Sequence, residues 1–143
     1  MARPYVLPIF VAACLGVLYA CIAINFWSVY AANNPVSVWL INALSANGHE
    51  MAYRVAIGIH DMIVNIVAAA PFAAVLLIRS SLNNWTCAAV AGAAAVVFGY
   101  WDTNWSVSLL TSMGFWFGLA MTLLSLPIAF AGFRAIRIQS QAV

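Results

Sequence analysis

Polar side chains are sparse along this chain, and the intervals between them are apolar runs. A transmembrane helix needs about 20 mostly apolar residues. The first run covers about 5–27, and a second covers about 48–78 once a polar first turn is included. A third, about 85–101, is shorter and built largely from Ala, Val and Gly. The fourth covers about 107–133, followed by a tail at 134–143. Pro71 and Pro127 fall inside the second and fourth runs and predict kinks whose freed backbone groups neighbouring helices satisfy.

The one long connection lies between the first two runs. Asn34-Pro35 reads as an N-cap followed by the first helical position. Val36, Trp39, Leu40, Ala43 and Leu44 then recur at helical spacing. This predicts a short amphipathic helix over about 35–45, lying in the membrane interface; a re-entrant segment is the alternative. Asn47 with Glu50 three residues on is a capping-box variant, so the second long helix is expected to start near Gly48. The expected fold class is an all-α integral membrane protein: a four-transmembrane-helix bundle with an interfacial helix in its first extracytoplasmic loop.

Composition agrees with that pattern. Of 143 residues, 66% are hydrophobic and 6% charged, and the mean hydropathy is +1.02. A soluble domain carries about 25% charged residues, so this chain lacks the charge to cover a soluble surface. A net charge of +2, dispersed along the chain, gives no footprint for nucleic acid. Cys14, Cys21 and Cys87 sit in apolar runs without CxxC spacing and read as packing residues.

Arginine placement gives an orientation. Arg3, Arg79, Arg134 and Arg137 fall on one side of a four-span chain, and only Arg54 falls on the other. That asymmetry predicts an inner (plasma) membrane protein with both termini cytoplasmic. A cleaved signal peptide is the weaker alternative, because the first apolar run is about 23 residues against roughly 7–15 for a signal core.

Small residues mark the packing faces. Gly114 and Gly118 form a GxxxG in the fourth run, and Ala91, Ala95 and Gly99 recur at spacing four in the third. Where lipid surrounds the helices, such residues let backbones approach. Packing of the third helix on the fourth is expected, with a homodimer or partner-subunit surface as the alternative.

Candidate chemistry concentrates at the start of the second long helix. At about 100° per residue, Glu50, Arg54, Asp61 and Asn65 share one stripe. Asp61 is the acid set inside an apolar span, about 8–10 Å from the outer boundary at 1.5 Å per residue. Intramembrane carboxylates normally face the bundle and are paired or neutralised. One expectation is a polar seam bonded to Asn25 and Ser28 or to Asp102–Asn104. Another is a proton or cation site at Asp61 with His60. His49 and His60 are also candidate haem ligands, but they stand about 16 Å apart along the helix and cannot share one ion. Adjacent His60 and Asp61 are expected on different faces. No Ser-His-Asp, HExxH, GxSxG or P-loop pattern occurs, so neither an enzyme site nor a metal site is expected.

Three functions follow from these features. The first is an accessory, assembly or protective subunit acting by helix–helix association, in the bilayer, as a homo-oligomer or with other membrane subunits. The second is a small proton- or cation-coupled transporter or channel using Asp61. The third is a haem-binding anchor subunit of an electron-transfer complex.

Overall fold

The computed structural model describes residues 6–79, 81–103 and 106–141, with the side chains of 27, 28, 31–33 and 141 left out. Among the described residues all regular structure is helical. The elements are α1 (Val6–Asn33), α2 (Pro35–Leu40) continued by a π-helical turn (Ile41–Ser45), α3 (Glu50–Ile78), α4 (Trp85–Gly99), α5 (Val107–Leu110) and α6 (Met113–Gln141). Helices α1, α3 and α6 are long and apolar enough to cross a membrane. Helix α4 has 15 residues, about 22 Å of rise against a hydrocarbon core of about 30 Å. Helix α6 continues to Gln141, through the segment read as a tail, and a break at Thr111–Ser112 separates it from α5.

The ends of these helices follow from local chemistry. Asn34 Oδ1 accepts from the Val36 amide at 3.0 Å, with Pro35 in the first turn of α2. Asn84 Oδ1 accepts from the Cys87 amide at 2.7 Å and caps α4. Each supplies an acceptor to amides that have no carbonyl one turn back. The cap of α3 differs from expectation. Asn47 turns back, its Nδ2 donating to the carbonyls of Asn42 and Ala43. The chain reverses at Gly48, whose φ of 82° lies in the left-handed region, and α3 starts at Glu50. Asn47 thus closes the preceding π-turn instead of opening α3.

The three long helices and α4 form a ring in the order α1, α4, α6, α3, with α1 against α3 its loosest seam. Close approach defines the tight seams. A β-carbon on Gly16 would fall on the carbonyl of Ala91, and one on Gly92 would fall on that of Leu123. Helix α4 therefore presses its small residues against α1 on one side and α6 on the other. Ala91 and Ala95 are buried in the core with Ala12, Ala20, Leu126 and Phe130. The expected partner of the Ala91 face was the last helix. The tighter partner is α1, through Gly16, and Gly92 serves α6 instead.

One end of the bundle collects the arginines. Arg137 donates to the carbonyl of Leu77 at 3.2 Å, and the Arg134 guanidinium lies 6.0 Å from the centre of the Trp85 ring. Arg79 follows α3 at that same end.

Candidate functional site: a polar cavity beyond the end of the short helix

Because α4 stops at Gly99, it leaves space between its longer neighbours. A cavity of about 460 Å³ occupies that space, lined by the three long helices and the end of α4. Helix α1 contributes Ala20, Ala23 and Ile24, α3 contributes Asp61 and Asn65, and α6 contributes Gly118, Met121 and Thr122. Gly99 and Tyr100 close it from α4. Small residues make the room. The Tyr100 hydroxyl sits 3.2 Å from where a Gly118 β-carbon would be, and nothing lies within 4 Å of one on Gly99.

Asp61 carries the charge in this cavity. Its Oδ1 lies 3.0 Å from His60 Nδ1, and His60 Nε2 lies 3.0 Å from the Tyr30 hydroxyl. The phenol and imidazole planes are nearly parallel, at 12°, with centroids 5.9 Å apart. His60 is 17% exposed at its side chain and Asp61 33%, so the imidazole is enclosed while the carboxylate still faces open space. A neutral His60 protonated at Nδ1 satisfies both contacts: it donates to Asp61 and accepts from Tyr30. Asn65 is buried and donates from Nδ2 to the Asp61 carbonyl at 2.9 Å, which fixes the turn bearing the acid. Thr122 also lines the cavity, and its hydroxyl donates to the Gly118 carbonyl at 2.9 Å.

The single polar stripe expected along α3 is divided. Glu50 and Arg54 form an exposed pair at 3.0 Å, and Ser45 Oγ donates to the same carboxylate at 3.0 Å. They tie the loop to the start of α3 and do not line the cavity. His49 is exposed at the N-cap position of α3, and its side chain makes no capping bond. His60 and Asp61 project about 100° apart around α3, and Nδ1 and Oδ1 nonetheless meet at 3.0 Å. Asn25 donates to the Cys21 carbonyl of its own helix at 2.8 Å. The side chain of Ser28 and all of Asn104 lie outside the described residues, and Asp102 is exposed. Gly118 lines the cavity, whereas Gly114 is exposed and its nearest neighbour is Ser112 Oγ.

Sequence reasoning missed Tyr30, Tyr100 and Thr122. Tyrosines near helix ends read equally well as interface anchors. Gly16 carried a readable signal, since Ala12, Gly16 and Ala20 recur at spacing four.

Both ring nitrogens of His60 are engaged, by Tyr30 and by Asp61. Among the described residues no group of three His, Cys, Asp or Glu side chains is placed to hold a metal ion. The chain matches no known protein family, no curated relative and no solved structure.

Proposed function

We propose that the protein takes up a proton or small cation at Asp61 from a cavity inside a four-span membrane bundle, as a small coupled transporter or channel. The carrying observation is that Asp61 faces a cavity bounded by the three long helices and the end of α4. A carboxylate at that depth costs roughly 2.5–3.5 kcal/mol on insertion scales for a helix centre, and less near the boundary. The sequence maintains that unfavourable placement beside an imidazole, a phenol and small residues that keep the space open. In this reading α4 crosses together with its flanking aromatic residues, and the cavity is the part of the bundle it does not reach. The arginines at one end and the single Arg54, paired with Glu50, at the other support a reading with both termini on the cytoplasmic side of an inner membrane.

The test is flux in proteoliposomes. Purified protein in sealed vesicles should dissipate a proton or alkali-cation gradient, and Asp61→Asn should reduce that flux to the rate of empty vesicles. Flux unchanged by Asp61→Asn removes the reading.

A second reading is favoured by Gly114. That glycine is uncovered within one chain and is flanked by the exposed Met113, Trp116 and Phe117. This outer face suits helix–helix association with another copy or another membrane subunit, consistent with an accessory, assembly or protective role. Mass measurement in mild detergent tests it: a strictly monomeric species counts against association. The two readings are compatible, since a small bundle with its own cavity also works as part of an assembly. The haem reading, through His49 or His60, is not carried forward: His60 uses both ring nitrogens within the bundle, and His49 is exposed at the start of α3.

A further inference from the structure

Tyr30, His60 and Asp61 form a continuous hydrogen-bonded line from helix α1 to the cavity. Tyr30 stands three residues from Asn33, the end of α1, on the end of the bundle opposite Arg134 and Arg137. Both links in the line are 3.0 Å. The line has two proton arrangements with the same heavy-atom positions. In the first, Tyr30 O–H donates to His60 Nε2, and Nδ1–H donates to an ionised Asp61. In the second, Asp61 O–H donates to Nδ1, and Nε2–H donates to the Tyr30 oxygen. The second holds one more proton than the first.

We infer that the ion taken up at Asp61 is a proton, and that it reaches Asp61 through Tyr30 and His60. This rests on the reading of Asp61 given above. A proton arriving from water at the Tyr30 oxygen displaces the phenol proton onto Nε2. The Nδ1 proton then passes to Asp61 Oδ1, breaking one N–H bond and forming one O–H bond. Tyr30 ends with its hydroxyl restored, His60 ends neutral, and Asp61 ends protonated. Loss of that proton to the cavity leaves His60 protonated at Nε2; uptake of a proton at Nδ1 and loss of the one at Nε2, both exchanged with cavity water, return the first arrangement. A metal cation cannot follow this route, because its links are hydrogen bonds between occupied atoms.

The ionisable groups hydrogen-bonded to His60 are Tyr30 from α1 and Asp61 from its own helix. Helix α6 presents the Phe117 ring at nearby Gly58, and Tyr100, at the end of α4, lines the cavity. Arg54 and Glu50 pair with each other in an exposed position and do not line the cavity.

The experiment uses full-length protein in proteoliposomes with an internal pH dye, driven by a potassium diffusion potential. Wild type should acidify or alkalinise the lumen according to the sign of the potential, and Asp61→Asn should be silent. His60→Gln and Tyr30→Phe should each slow the flux by about a hundredfold or more, the low end of the usual range for removing a proton-transfer group. Tyr30→Phe keeps the ring and its packing, so loss of flux there does not follow from misfolding. His60→Ala should recover flux when imidazole is added to the buffer, which a purely structural histidine would not show. Wild-type rates in both Tyr30→Phe and His60→Gln, with Asp61→Asn silent, overturn this path and leave the Asp61 reading standing. Asp61-dependent flux of sodium or potassium without a pH change likewise overturns the path alone. Flux that survives Asp61→Asn overturns both.

Discussion

The carbonyl of Ala91 occupies the space that a β-carbon on Gly16 would fill. Backbone meets backbone there, and no flexible side chain stands ready to move. Helix α4 is locked to α1 at this point and to α6 through Gly92, so its short length is transmitted into a gap at one end of the bundle. Overpacking a tight site costs typically about 1–3 kcal/mol and sometimes more. Gly16→Leu is therefore expected to lower the thermal midpoint of the detergent-solubilised protein markedly. Gly132→Ala, with open space around it, should leave the midpoint near wild type. Equal midpoints for the two variants would show that the α1–α4 seam is not tight.

Gly99 makes the opposite case. A β-carbon added there meets nothing within 4 Å, and the residue lines the cavity. Gly99→Leu should fold with a near-normal thermal midpoint while blocking flux, because the new side chain fills space that Asp61 needs. Normal flux with normal folding would mean that the cavity is not on the ion's route.

Tyr19 is fully buried and packs edge-on against Phe72 at 5.7 Å, and its hydroxyl makes no hydrogen bond of good geometry, with Ser125 the nearby polar side chain. A buried polar group left unpaired gains nothing from being polar. Tyr19→Phe should therefore change stability by less than about 1 kcal/mol, or raise it. A large loss on chemical or thermal unfolding would show that the hydroxyl has a partner in the membrane, and Ser125 is the first candidate.

The proposed four-span arrangement makes a labelling prediction. In a background with Cys14, Cys21 and Cys87 replaced, Ser81→Cys and Ser140→Cys should react with an impermeant maleimide from the cytoplasmic side. Asn47→Cys and Asp102→Cys should react from the other side. Reaction of Asp102→Cys from the cytoplasmic side would show that α4 does not cross.

Much of the helical architecture was readable from apolar run lengths, because burying a helix in lipid requires a long unbroken stretch and few charges. The three long apolar helices and the caps at Asn34 and Asn84 obey rules that act within a few residues. The site was less readable. Periodicity along α3 placed Asp61 and Asn65 on one stripe with Glu50 and Arg54, but stripe membership says nothing about depth. The ring of neighbouring helices decides that Asp61 and Asn65 line a cavity and that Glu50 and Arg54 do not. The Tyr30–His60 contact joins residues thirty positions apart, and its existence depends on how α1 and α3 slide past each other. No local pattern encodes that register. Asn47 failed as a cap for α3 because the π-turn before it offered closer carbonyls.

The proposal that Asp61 is the working group is tested directly by infrared difference spectroscopy of the protein in lipid, titrated in pH and in alkali cations. The wild-type spectrum minus that of Asp61→Asn should show one carboxyl whose signal changes with pH, with the proton moving between bands of the ionised and protonated forms. Superimposable spectra of the two proteins throughout the titration would contradict the account.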